Sequence, residues 1–121
     1  MYAVEDVTKR NVMGEVISEF ENRVLTQMES LEKGIIHGDV NDHNILVETT
    51  SGECMFKGIL DFGDNQHSCY LFEIAIMLTY VLMLSKNLDV GAHVLAGYSG
   101  VRQIPEEELA LLKVRLKYAV F

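Results

Sequence analysis

Two polar segments carry the residue types that suit chemistry: His37-Gly38-Asp39-Val40-Asn41-Asp42-His43-Asn44 and Asp61-Phe62-Gly63-Asp64. Carboxylate and amide oxygens are hard donors that suit Mg²⁺, and a separate carboxylate can orient an attacking hydroxyl and accept its proton. Phosphoryl transfer uses both devices, because the cation offsets charge that develops on the phosphates. Asp39 and Asn44 stand in an Asp-x-x-x-x-Asn spacing, and Asp61-Phe62-Gly63 follows in the same order as in phosphoryl-transfer sites. Asn41 lies two residues after Asp39, where it could reach a phosphate or the acceptor.

Those segments need strands to bring them together. Ile45-Leu46-Val47 reads as one strand and Met55-Phe56-Lys57-Gly58-Ile59-Leu60 as a second, with Thr49-Thr50-Ser51-Gly52-Glu53 as the turn of a β-hairpin. If Asn44 pairs opposite Asp61, the loop midpoint falls between Gly52 and Glu53, inside that turn. Asn44 and Asp61 then meet at the open end of the hairpin, with Asp39 on the loop leading into it. Upstream, Val12, Val16, Ile17, Phe20, Val24, Leu25, Met28 and Leu31 recur at helical spacing, which predicts one amphipathic helix from about Glu5 to Glu32 with Gly34 at its C-cap. Cys69 to Ser85 reads as a long apolar helix, about Val90 to Gly100 as a shorter one, and Pro105-Glu106-Glu107-Glu108 as the start of a last helix running to Phe121.

The His37-Gly38-Asp39 triplet, where protein kinases usually place Arg in the middle, resembles the aminoglycoside phosphotransferase and choline kinase group. The runs from Gly34 to Val47 and from Gly58 to Asp64 resemble the branch of that group that phosphorylates hydroxylysine, as do Tyr70-Leu71-Phe72-Glu73-Ile74-Ala75-Ile76 and Leu95-Ala96-Gly97-Tyr98. The resemblance implies an α+β, mainly helical C-terminal lobe of a protein-kinase-like fold, with the β-hairpin at the catalytic site. It implies an enzyme that moves the γ-phosphate of GTP (or ATP) to the 5-hydroxyl of hydroxylysine with Mg²⁺ in the cytoplasm. Choline, ethanolamine and homoserine are the alternative acceptors. Asp39 would be the base, Asn44 and Asp61 the Mg²⁺ ligands, and Asn41 and Asn44 contacts to the bound nucleotide. A Gly-rich loop over the phosphates and a strand lysine of the Val-Ala-Ile-Lys type do not precede the motif. Residues 1–121 are therefore expected to be a partial domain without its N-terminal nucleotide-binding lobe, and weakly active or inactive alone. The competing expectation is a non-catalytic fragment that associates with another protein through exposed core.

Other residues receive plainer readings. His37 is expected to pack and hydrogen-bond near Phe62, and Asp64 to orient the loop or help hold a second Mg²⁺. Glu73, near the start of an apolar helix, reads as a hydrogen-bonded support for the loop, since a lone buried carboxylate is costly. His43 and His67 read as surface residues, Met77 and Met83 as core packing, Cys54 and Cys69 as core or turn residues, and Glu106 to Glu108 as a helix start only.

The chain has 10 Lys and Arg against 18 Asp and Glu, a net charge of −8, which disfavours nucleic acid and anionic membrane surfaces as partners. The cysteines form no CxxC pair. The run Leu71 to Leu84 is 14 residues long and holds Glu73, whereas a membrane span needs about 20 apolar residues. MYAVEDVTKR lacks the apolar centre of a signal peptide, in keeping with a cytoplasmic setting.

Overall fold

The computed structural model describes residues 6–116, with side chains through Lys113. The expected helical ends at Glu5 and at 117–121 lie outside the described residues. Among them are four α-helices and two two-stranded antiparallel sheets, an α+β arrangement. The Asp6 carboxylate accepts from the Thr8 and Lys9 amides, at 2.8 and 3.2 Å, and caps α1 (Val7–Glu19). The chain then departs from the single helix expected: Phe20–Val24 is a π turn and Leu25–Gln27 a 3₁₀ turn. Asn22, Thr26 and Gln27 each donate to a carbonyl four residues back, so polar side chains compete for the helix's own acceptors here. One extra residue in a turn rotates the following face by about 100°. Val12 and Ile17 accordingly stay about two-fifths exposed, while Val24 and Leu31 are buried and Phe20 and Met28 pack on the core.

Gly34 is not a helix C-cap. It lies in β1 (Lys33–Ile36), which pairs with β4 (Gln66–Cys69) from Lys33 opposite Cys69 to Ile36 opposite Gln66. A Cβ at Gly34 would overlap the Tyr70 hydroxyl, so the glycine is there for close approach. β2 (Ile45–Thr50) and β3 (Glu53–Ile59) form the expected hairpin, with Ile45 opposite Ile59 and Thr50 opposite Glu53. Its turn is Ser51-Gly52, both at positive φ (55° and 86°), the conformation that matches the twist of paired strands. The strands reach closer to the turn than expected, and a register shift between Leu46 and Val47, with Lys57 as the extra residue, leaves Leu60 rather than the expected Asp61 opposite Asn44. Glu48 and Lys57 pair across the hairpin at 2.6 Å.

α2 (Tyr70–Ser85) is the spine of the molecule. Leu71, Ile74, Ala75, Leu78 and Leu82 form its buried stripe, the first four packed with Val24, Leu31, Cys69, Leu111 and Leu112. Burying each Leu or Ile contributes about 1.5–3 kcal/mol, so this stripe, more than the short ladders, anchors what α2 carries. α3 (Leu88–Ser99) crosses α2 closely at Gly91, where a Cβ would stand 3.0 Å from Leu82 Cδ2. α4 (Glu106–Leu116) starts after Pro105 as expected, but Glu108 is buried at 2 % exposure. Met77 packs on the core; Met83, expected there too, is 52 % exposed. Cys54 is exposed and Cys69 buried, and both are free thiols. No helix among the described residues is long and apolar enough to cross a membrane.

Candidate active site

The loop between β1 and β2 is held from three sides. Buried His37 contacts the Leu60 carbonyl through Nε2 at 2.7 Å, and its Nδ1 lies 3.3 Å from the Asp39 amide. A carbonyl only accepts and an amide only donates, so these partners fit the Nε2–H tautomer. Phe62 packs edge-on against the His37 ring at 5.0 Å, as the sequence led us to expect. From α2, Glu73 Oε2 accepts the Gly38 N–H at 2.9 Å. Gly38 has φ 83°, and a Cβ there would stand 2.7 Å from the Asp64 carbonyl oxygen, so glycine is required twice over. Asp64 meets the loop through its backbone.

Within the loop, Asn44 is nearly buried, and its Nδ2 donates to the Asp39 carbonyl at 2.9 Å and to Asp39 Oδ2 at 3.1 Å. Both bonds use nitrogen, which leaves Oδ1 as the amide's electron-donating atom. The Asn44 carbonyl accepts from the Leu60 amide at 2.8 Å, so Asp61 follows directly on the residue paired with Asn44. Asp61 is exposed, sits in the left-handed region (φ 59°, ψ 74°) and accepts from the Gly63 amide at 3.3 Å. That conformation costs a non-glycine residue about 1–2 kcal/mol, and Asp tolerates it better than most. Asn41 closes the loop, donating to the Asp39 carbonyl at 3.2 Å and accepting from the His43 amide at 2.9 Å. The structure thus brings Asp39, Asn41 and Asn44 into one hydrogen-bonded loop, joined to Asp61 through Leu60 and braced by His37 and Glu73. His43 and His67 are exposed, as expected.

Among the described residues no three His, Cys, Asp or Glu side chains cluster as a metal cage. The oxygens at hand are the Asp61 carboxylate and the Asn44 amide oxygen. This hard, sparse donor set fits Mg²⁺, which is usually held by one or two carboxylates and completed by water and phosphate.

One feature has no local sequence signal. Arg102, just before α4, forks Glu108 (Nη2 to Oε1 2.7 Å, Nη1 to Oε2 3.0 Å) and also holds Glu32 Oε2 at 2.7 and 2.9 Å. The Glu108 hydrogen bond, foremost, holds the guanidinium further above its already high ordinary pKa. Its plane carbon lies 5.1 Å from the Tyr70 ring centre, so the clamp reaches the start of α2, one turn before Glu73.

Residues 2–111 match the model of the phosphotransferase enzyme family, and the chain belongs to that family. It is similar to the hydroxylysine kinase of Mus musculus, 41 % identical over 107 residues, which covers 84 % of this chain and 28 % of the relative. The hydroxylysine kinase of Xenopus laevis is 39 % identical over 114 residues, 88 % of this chain and 30 % of the relative. The homoserine kinase of Chelativorans sp. (strain BNC1) is 29 % identical over 110 residues, 88 % of this chain and 33 % of the relative. The chain spans about a third or less of the length of these relatives. No solved structure matches it.

Proposed function

We propose that this chain carries the catalytic loop of a hydroxylysine kinase, acting in the cytoplasm as part of the C-terminal lobe of a kinase-like fold. Asp39 orients the 5-hydroxyl of hydroxylysine and accepts its proton as the γ-phosphate of GTP is transferred. Asn44, through Oδ1, and Asp61 would hold Mg²⁺, which supplies charge neutralisation on the phosphates when bound. Asn44 Nδ2 fixes the Asp39 carboxylate, and Glu73 and His37 hold the loop against α2 and the end of β3. Asn41 keeps a second Nδ2–H and a second Oδ1 lone pair beyond its two loop bonds, and with these it would contact the nucleotide. The observation that carries the reading is the nearly buried Asn44, which binds the Asp39 carboxylate through its side chain and the Leu60 amide, next to Asp61, through its carbonyl. GTP as donor rests on resemblance, and hydroxylysine on resemblance and on the named relatives.

The test is phosphate transfer from GTP and from ATP to 5-hydroxylysine, choline and homoserine. It is run on this chain alone and joined to a nucleotide-binding lobe, each beside its Asp39→Asn variant. Transfer to hydroxylysine that disappears in Asp39→Asn supports the assignment; transfer to choline or homoserine alone moves the acceptor. If the completed protein phosphorylates none of the three, the proposal fails. A second reading, association with another protein, is favoured by apolar side chains left outside: Val12 and Ile17 on α1, and Val47 and Phe56 on the hairpin, the last 64 % exposed.

A further inference from the structure

α2 is apolar on nearly every side, yet only one of its stripes is buried. A helix of that kind is normally enclosed. Ile76, Thr79, Tyr80 and Met83 make a second stripe at i, i+3, i+4 and i+7, so they share one face. Tyr80 and Met83 are 39 % and 52 % exposed. This stripe faces Gly38 and Asp39 across an open cleft of about 400 Å³.

We infer that this stripe is the wall of the acceptor pocket, and that Tyr80 and Thr79 select the ammonium-bearing end of the acceptor. The inference rests on the reading of Asp39 as the base. Three features of the cleft carry it. Among the described residues lining it, Asp39 is the one acidic side chain and none is Lys, Arg or His, so the cleft suits a cation and gives a carboxylate no cationic partner. Thr79 donates its hydroxyl proton to the Ala75 carbonyl at 2.7 Å, which leaves its oxygen lone pairs to accept from an ammonium. Tyr80 adds a ring, whose face attracts a cation, while Ile76 and Met83 suit the methylenes between. The acceptor therefore enters with its hydroxyl at Asp39 and the neighbouring amine on α2. Any carboxylate it carries stays outside the cleft.

Amide NMR spectra of the full chain, with Mg²⁺ and GTP present, separate the possibilities. Three small alcohols of similar size serve as probes: 1-amino-2-propanol, propane-1,2-diol and 3-hydroxybutyrate. The amine should bind most tightly and the acid most weakly, with shifts centred on residues 76–83 and on Gly38. Tyr80→Ala should weaken amine binding about fivefold or more, and Tyr80→Phe, which keeps the ring, by less than about twofold. Tyr80 is exposed, so neither variant threatens the core. Equal binding of acid and amine, shifts elsewhere, an unchanged Tyr80→Ala affinity, or no amine binding at tens of millimolar would overturn the inference. Shifts of Asn44 and Asp61 on adding Mg²⁺ and GTP report separately on the phosphoryl-transfer site. If they occur without the amine response, the pocket assignment alone is wrong; if neither occurs, the pocket assignment falls and the phosphoryl-transfer reading is decided by the transfer assay on the completed protein.

Discussion

Arg102→Leu should destabilise the protein by about 3–5 kcal/mol, the loss typical when one partner of a buried ion pair is removed. The figure follows from Glu108, whose side chain is 2 % exposed and whose two oxygens both receive Arg102. Without the guanidinium, that carboxylate is left unpaired one turn before Leu111 and Leu112, two buried residues of the core. The second arm contributes little, because the Glu32 side chain is 59 % exposed and such pairs are worth about 0–1 kcal/mol. Contact with the Tyr70 ring adds about 0.5–1 kcal/mol. Glu32→Ala should therefore be nearly silent. The double variant Arg102→Leu with Glu108→Leu should recover most of the loss, since apolar replacements of a buried pair are often neutral. Urea unfolding at neutral pH, followed by circular dichroism, measures all three. A loss under about 1 kcal/mol for Arg102→Leu, or a double variant no better than the single, would refute the argument that burial of Glu108 sets the magnitude.

Two further outcomes concern the loop and the core. Glu73→Ala removes the acceptor of the Gly38 N–H and should speed exchange of that amide, about tenfold for each 1.4 kcal/mol lost, whereas Glu73→Gln keeps an acceptor and should change it much less; an unaltered Gly38 rate in Glu73→Ala would show that the brace is idle. Burial raises the Cys69 thiol above its ordinary 9.0, with Lys33 opposing in smaller measure, and burial likewise raises Tyr98 above 10.0. Both folded groups hold their proton more tightly than the unfolded chain, so their contribution is intact below those ordinary values and is lost as pH rises through the raised ones. Unfolding midpoints should fall from about pH 9 upward, and Cys69→Ala should remove the first part of that fall; an identical pH slope in the variant would contradict it.

The helices and the hairpin were legible because their signals are local: apolar spacing in α2, Pro105 before three acids at α4, and a Ser-Gly turn between short apolar runs. The approach of Asn44 to Asp61 at the open end of the hairpin was legible for the same reason, although Leu60 rather than Asp61 stands opposite Asn44; the side-chain bond from Asn44 to Asp39 was not foreseen. The hairpin's register was not legible, because the bulge after Leu46 depends on how the paired strands twist. β1 and β4 were missed because Lys-Gly-Ile-Ile and Gln-His-Ser-Cys are only four residues each and carry no alternation. They become strands by meeting each other. The long helix expected through Glu32 breaks at Phe20, where Asn22, Thr26 and Gln27 bond back to helix carbonyls and the altered turn brings Val24 inside, neither of which apolar spacing reveals. Arg102 and Glu32 are 70 positions apart, and Glu108 is an ordinary first-turn acid until burial gives it a single partner. Tyr80 and Met83 carry the same spacing as the core stripe, so their exposure shows only once the packing is known.

The ladder between β1 and β4 has a consequence for how this molecule acquires its site. Residues 37 to 65, which hold every chemical group of the loop and the hairpin, form one closed circuit whose neck is those two short strands and the Tyr70 amide bonded to the Glu32 carbonyl at 3.1 Å. Drawing the ends of such a circuit together costs roughly 3 kcal/mol of chain entropy, while the hairpin inside it closes through a two-residue turn at little cost. The hairpin's pairing is local, whereas the bond from Gly38 to Glu73 needs α2 docked and the neck shut. The loop from His37 to Asn44 therefore depends on the neck and on α2 as well as on the end of the hairpin, so exchange of its amides reports on all three.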